Sequence, residues 1–315
     1  MPDVNIGQMA TVALRNRSGK LADNILNHNA TFHVLNKKGN VKPVDGGRDI
    51  VEELEYAENS TAQWYSGEEV LDTSAQTTFD AATYDWKQLA GTIVMTGLEE
   101  IKNSGKERII NLLDAKLKNL EKSLMNIAST AVYADGTGSS GKELGGMQLI
   151  IDDDPTAAGT VGGINQVTYT WWRNQYSAAA ATSSSTVQGR MNTMWLRCIR
   201  GTDKPDLITA DDDMYNYYLE SLQSLQRVAG AEMADAGFEA VKYKNADFVY
   251  DDQCPNKHMY FINSDYIYLR PHAKRQFVAL PERKSTNQDA ITIPVVWAGN
   301  MTCSNRERQG VIIAS

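Results

Sequence analysis

The stretch from Gly46 to Tyr133 constrains the chain most, because it reads as two long elements that cannot satisfy themselves within one molecule. Its first part carries two apolar, extended arms around a polar tip. Ile50, Val51, Leu54, Tyr56, Trp64 and Tyr65 lie on the first arm, and Phe79, Tyr84, Trp86, Leu89, Ile93 and Val94 on the second. Aromatic and β-branched residues favour strands. Ser66-Gly67-Glu68-Glu69 and Asp72-Thr73-Ser74 between the arms are turn-like. Arms of about 20 residues, rising ~3.3 Å each, predict a hairpin reaching roughly 60 Å. A compact chain of this length has a radius of gyration of roughly 20 Å. Such a hairpin projects beyond its own body, and an isolated two-stranded hairpin is marginal in water. It therefore needs a partner surface, either on a neighbouring molecule or on its own body with the hairpin folded back, as in many α+β proteins.

The second part predicts one uninterrupted amphipathic helix over about 104–134. Ser104 and Glu107 match a capping box. Apolar residues recur at Ile109, Leu113, Leu117, Leu120, Leu124, Ile127 and Ala131, with Asp114, Lys118, Glu121 and Lys122 on the opposite face. About 30 residues at 1.5 Å each make roughly 45 Å, far longer than an average helix. The stripe fits a spine against which a sheet packs, and its length also permits a coiled coil.

Charge is distributed unevenly. Between Gly46 and Asp85 the acidic residues are Asp49, Glu52, Glu53, Glu55, Glu58, Glu68, Glu69, Asp72, Asp80 and Asp85, against the single base Arg48. From Arg270 to Lys284 the balance reverses, with Arg270, Lys274, Arg275, Arg283 and Lys284 against Glu282. Opposite patches on one chain suit a head-to-tail contact between copies, which closes into a ring when its rotation closes; two solvated faces are the plainer reading. Charge would set register and on-rate more than affinity.

Chemistry-bearing motifs are weak. Gly136, Gly138 and Gly141 match GxGxxG, and Gly136 to Lys142 matches GxxxxGK. A phosphate site needs such a turn to leave a strand and open a helix. This one follows the predicted helix, and Glu143 stands where Ser or Thr would hold magnesium. A glycine turn ending a helix is the plainer reading. His28, His33, His258 and His272 are scattered, without HExxH or zinc spacing. His28 and His33 read as solvated. Cys198, Cys254 and Cys303 form no disulfide framework and suggest a reducing compartment. Cys198 reads as a buried small hydrophobe. The triplets Asp152-Asp153-Asp154 and Asp211-Asp212-Asp213 read as a turn and a helix N-terminus rather than metal clusters. No catalytic, cofactor or metal residue is assigned, and the chain reads as a non-enzyme.

The chain has 315 residues, 42% of them hydrophobic, enough for a core, and a net charge of -8 that excludes a simple electrostatic DNA binder. It holds no apolar run of about 18 residues to span a membrane, and Met1 to Ala10 lacks a signal-peptide pattern.

The order of acidic hairpin, long helix and the Gly-rich turn Asp135 to Lys142 resembles the major capsid proteins of tailed bacteriophages, which have the Hong Kong 97 fold. Leu144 to Ile150 resembles the strand after the family's spine helix. Pro205-Asp206-Leu207-Ile208 with a helix at Met214 to Arg227, Phe248 to Asp252 and Met259 to Asn263 resemble its axial domain.

The resemblance implies an α+β fold with an N-terminal arm (1–45), an E-loop hairpin (46–97), a discontinuous peripheral domain (98–167 and 264–315) and an axial domain (168–263). A short helix is expected at Lys20 to Asn27, with helices at Thr186 to Arg200 and Asp211 to Arg227. A flexible loop is expected at Ser177 to Thr186, and strands at Ile291 to Trp297 and Gly310 to Ala314 return to the peripheral domain.

The resemblance further implies self-assembly into hexamers and pentamers of an icosahedral shell around double-stranded DNA. The setting is a virion assembled in the bacterial cytoplasm, without sequence-specific DNA binding and without a membrane. A portal, a decoration protein and a scaffolding protein are the other implied partners. Roughly 45 residues before the hairpin leave little room for a built-in scaffold, so either a separate scaffolding protein or an already processed chain is expected, and Met1 favours the former. By analogy the E-loop lies over an adjacent subunit's peripheral domain. Glu52, Glu53, Glu55, Glu68, Glu69 and Trp64 are then candidates to face Arg270, Lys274, Arg275, Arg283 and Lys284. Some members cross-link an E-loop lysine to a neighbour's asparagine. This chain has no lysine between Lys42 and Lys87, so a non-covalent shell is expected. A nanocompartment shell of the same fold is the alternative, and a nucleotide-binding enzyme a distant one.

Overall fold

A computed structural model describes residues 29–102, 106–222, 240–284 and 289–315, together with Asn24 and Asn27. Apart from Asn24 and Asn27, the segment of the predicted helix at Lys20 to Asn27 lies outside the described residues, as do the Ser104 cap and His28.

Two main sheets organise the chain. The first is built on one long strand, Ala290–Cys303. Lys87–Thr96 pairs antiparallel along one edge, from Lys87 opposite Gly299 to Thr96 opposite Ala290. Ile267–Pro271, Val278–Ala279 and Arg283–Lys284 pair along the other. The chain after the helix Ala30–Lys37 extends this edge through bridges of Val41 to Leu269 and Val44 to His272. That helix was not legible beforehand. Asn29 caps it by accepting a bond from the Thr31 amide at 2.9 Å, and Phe32 and Leu35 anchor it in the core.

The predicted spine is the helix Lys106–Val132. Its stripe packs on the first sheet through Leu117, Leu124, Ala128 and Val132. Gly91 makes the close approach feasible, since a Cβ there would stand 2.3 Å from Leu120 Cδ1. Two details depart from the helical pattern. Ile127, expected in the stripe, is exposed. Glu121, expected on the polar face, is buried and accepts a bond from Asn24 Nδ2 at 2.6 Å. A partner from the N-terminal segment makes that burial tolerable.

After the spine, the chain does not form the expected strand at Leu144 to Ile150; a short helix, Met147–Ile150, forms instead. Gly146 lies against the spine's last carbonyls, where a Cβ would come within 2.4 Å of Ala131 and Val132 oxygens. The Gly145 and Gly146 amides are taken by Asn300 Oδ1 and the Ala134 carbonyl. With those amides spent, and Met147 and Ile150 buried, a single helical turn is the compact solution.

The second sheet has six strands in the order Gln175–Ala180, Gly310–Ala314, His258–Ile262, Leu207–Ala210, Ala246–Tyr250 and Ala240–Tyr243. It is mixed: the first two strands pair parallel, as do Leu207–Ala210 and Ala246–Tyr250. Its central strands are apolar on both faces. Met259 and Phe261 face the helices Val187–Cys198 and Asp212–Ser221, while Tyr260 and Ile262 face the core shared with the spine.

Two expectations are corrected here. Gly310 to Ala314 joins this sheet, beside His258–Ile262, rather than the first one. Gln175–Ala180 is a strand, so only the residues after it form the expected loop. The helix expected over Asp211 to Arg227 is described as Asp212–Ser221.

Arg306 ties the layers together. It is fully buried and donates to the Ile150 and Trp172 carbonyls, Gln166 Oε1 and Asn174 Oδ1. Burial lowers its pKa. Among the described residues no helix is long and apolar enough to cross a membrane.

Candidate assembly interface

The hairpin is shorter than its composition predicts. Ile50–Glu55 pairs with Phe79–Tyr84 over six residues, from Ile50 opposite Tyr84 to Glu55 opposite Phe79. Beyond it lies an irregular loop at 56–78, and the rest of the second arm joins the first sheet as Lys87–Thr96. The reason is energetic: a free two-stranded ladder gains little, whereas the ten-residue pairing to Ala290–Cys303 buries Ile93 and Met95.

Alternation sorts the first strand into two faces. Ile50, Glu52 and Leu54 point inward, while Val51, Glu53 and Glu55 are exposed. Ile50, Leu54, Ala82 and Tyr84 pack with Ile164 and Trp172. The latter two belong to a small unit whose Gly162-Gly163 turn has both φ positive and fits directly against Ala82 and Thr83.

Glu52 is only 7% exposed. It accepts from Arg270 Nη2 at 2.6 Å and Arg270 Nε at 3.1 Å, and from Thr302 Oγ1 at 2.9 Å. Of the expected acid–base partners, Glu52 and Arg270 therefore meet within one chain. Inward alternation at Glu52 was the available signal. The fork geometry of guanidinium and carboxylate makes the pair a clamp between the hairpin base and the first sheet.

The other candidates are free of the core. Glu53, Glu55, Glu68 and Glu69 are exposed, as are Lys274, Arg275, Arg283 and Lys284. Glu69 closes the tip turn, its carboxylate accepting from the Ser66 amide at 3.2 Å. Trp64 is fully exposed, and Tyr65, Val70, Leu71 and Phe79 are also exposed. The base of the loop is held by Tyr56 stacked on Trp171 at 4.8 Å and by an exposed Glu58–Arg200 pair at 2.8 Å.

Sequence reading missed a cavity of about 340 Å³ between the spine, Lys87 to Ala90 and the first sheet. Phe32, Ala128, Leu269, Phe277 and Trp297 line it, and Lys87 and Lys142 reach its rim. Its residues come from distant parts of the chain, so no local pattern announces it.

The remaining motifs take structural roles. The turn at Gly136 to Lys142 follows the spine rather than a strand, passes through left-handed Ser139 and Ser140, and opens no helix at Lys142. Asp211 caps its helix by accepting from the Met214 amide at 3.0 Å and also accepts from the Lys257 amide; burial raises its pKa. Asp152 and Asp154 accept bonds within their own turn, and Asp152 also accepts from Gln166 Nε2 at 2.7 Å. Cys198 is buried as expected, and burial pushes its thiol up to about 12. Asp153 accepts from His258 Nε2 at 2.9 Å. Burial alone would lower that imidazole's pKa, but the bonds to Asp153 and to the Asn256 carbonyl outweigh it and raise the value.

No protein-family model and no curated protein matches the chain. Solved structures do. The cyanophage A-1(L) capsid asymmetric unit is similar over 87% of this chain and 90% of its own, with a TM-score of 0.69 at 14% identity. The capsid of a native GTA particle is similar over 88% and 89%, with a TM-score of 0.58 at 9% identity. The satellite phage P4 procapsid including size determination (Sid) protein is similar over 94% and 90%, with a TM-score of 0.51 at 9% identity. Likeness over nearly the whole of each chain at such low identity is a likeness of fold, and the chain accordingly has the α+β, Hong Kong 97-like fold of phage capsid subunits.

Proposed function

We propose that the protein is the major capsid subunit of a tailed double-stranded DNA bacteriophage. In this reading its copies form hexamers and pentamers that tile an icosahedral shell around the genome. One observation carries the proposal: on a capsid-type fold, an acidic loop at 56–78 holds out Trp64, Tyr65, Val70 and Leu71 with no core to cover them. A fully exposed tryptophan beside other exposed apolar groups marks an interaction surface.

In the capsid reading the first sheet and the spine form the peripheral part. The six-stranded sheet with its two helices forms the axial part, including Gly310–Ala314. The loop is the E-loop, and Glu53, Glu55, Glu68, Glu69 and Trp64 face Lys274, Arg275, Arg283 and Lys284 of a neighbour. Glu52 and Arg270 support the hairpin from within. The shell would be found in the virion and assembled in the host cytoplasm, with a scaffolding protein, a portal and a decoration protein as partners. The P4 procapsid, which includes its Sid protein, supports a shell shaped by a second protein. The subunit performs no catalysis in this role. A chain with a net charge of -8 would enclose DNA without gripping it.

Electron microscopy of the full-length chain, expressed with and without its scaffold candidate, tests the proposal. Closed shells, tubes, or rings of five or six are expected. A monomer that persists with the scaffold present would remove the assembly role.

A further inference from the structure

We propose that the cavity beside the spine is the socket for Trp64 of a second copy of this chain. The inference rests on the shell reading and adds to it one named side chain and one named receptor.

The socket is apolar within and cationic at its rim. Phe32, Ala128, Leu269, Phe277 and Trp297 line its interior, with a volume of about 340 Å³. That is at the low end of the range of pockets that enclose small-molecule ligands, roughly 300–1,000 Å³. Ile127, which also lines the cavity, is exposed, whereas Leu117 and Leu124 of the same stripe are buried. Lys87 reaches the rim and donates to the Gly141 carbonyl at 2.5 Å, and Lys142 stands beside it, exposed. Glu143, the acid at the same rim, accepts a bond from Ser139 Oγ at 3.3 Å. Phe277, on the cavity wall, follows the exposed Lys274 and Arg275 closely in sequence.

The knob has the complementary character. Trp64 and Tyr65 are exposed on a loop whose charged residues are Glu58, Glu68, Glu69 and Asp72, with no lysine or arginine among residues 49–86. A tryptophan entering an apolar socket ringed by opposite charge matches the anatomy of a hot spot: an aromatic anchor at the centre and polar contacts at the rim. Trp64 is fully exposed in its own chain, so the cavity beside the spine is not filled by it there. Knob and socket on one chain form a heterologous contact, which repeats around a closed ring.

Disulfide trapping in assembled full-length protein provides the test. Trp64→Cys and Ala131→Cys are made separately and together, Ala131 being a small residue lining the socket. The native Cys198, Cys254 and Cys303 are all buried, which keeps background low. After diamide oxidation of a co-assembled mixture of the two single variants, the expected product is a heterodimer on a non-reducing gel. The double variant should give a ladder up to the ring size. As a second measurement, Trp64→Ala should raise the concentration needed for assembly about tenfold or more, with Trp64→Phe restoring most of the loss. Particles that form without any disulfide between chains, or a double variant that closes only on itself, would overturn the socket while leaving the shell reading in place. If the unsubstituted chain fails to assemble even with its scaffold, both ideas fall together.

Discussion

Glu52 illustrates how one inward position changes a residue's role. Its neighbours Glu53 and Glu55 share its chemistry but lie on exposed backbone, whereas Glu52 is buried against Arg270 and Thr302. Removing one member of a buried pair leaves the other charge uncompensated, at a cost of about 3–5 kcal/mol. Glu52→Ala should therefore lower stability by about 3 kcal/mol in urea denaturation, while Glu53→Ala should change it by less than about 0.5 kcal/mol. Equal effects would show that the clamp does not hold the hairpin. His258 offers a second residue-scale check. Its folded pKa is raised above 6.5 by Asp153 and the Asn256 carbonyl, so the folded state holds the proton more tightly. The stabilisation is complete below about 6.5 and is lost as pH rises through the higher folded value. His258→Asn should flatten the denaturation midpoint across that window; an unchanged pH profile would argue against the pair's contribution.

Among the elements, the spine and the hairpin contrast. The spine's 3/4 apolar spacing is a local property, and the helix appears where the stripe places it. The hairpin's length is not local. Lys87–Thr96 and Phe79–Tyr84 both belong to the predicted second arm, but only the second stays with Ile50–Glu55. The first has a better partner in Ala290–Cys303, some 200 residues away in sequence, and no period-2 pattern names a partner. In the proposed shell the exposed acids of the hairpin and loop form the contact face. Reversing Glu53, Glu55 and Glu68 to lysine together should impair ring and shell formation severalfold in sedimentation, while leaving the urea midpoint of the subunit nearly unchanged. Normal assembly of this triple variant would show that charge complementarity does not guide the contact.

For the whole molecule, the two sheets share one core through strands that are apolar on both faces, and Arg306 and Asn300 tie the intervening turns by hydrogen bonds. A body braced in this way can hold out a loop without a core of its own. The loop has no lysine, and the nearest following amine, Lys87, lies at the start of a strand with its Nζ on the Gly141 carbonyl. The assembled particle is therefore expected to be non-covalent: boiling in denaturant should release monomer, and a ladder of covalent multimers would contradict this.

The amino-acid order alone determined the spine, the acidic loop between extended arms, the glycine turn after the helix and the sequence of strands that together resemble a capsid subunit. Each depends on periodicity, turn chemistry or charge within a short window, and such signals survive without knowledge of distant partners. Tertiary structure alone decided that Glu52 meets Arg270, that Gly310–Ala314 enters the second sheet, that Met147–Ile150 turns as a helix, and that a cavity opens beside the spine. Those outcomes arise where segments far apart in sequence compete to bury the same apolar surface and satisfy the same amides, and only the packed arrangement selects the winner.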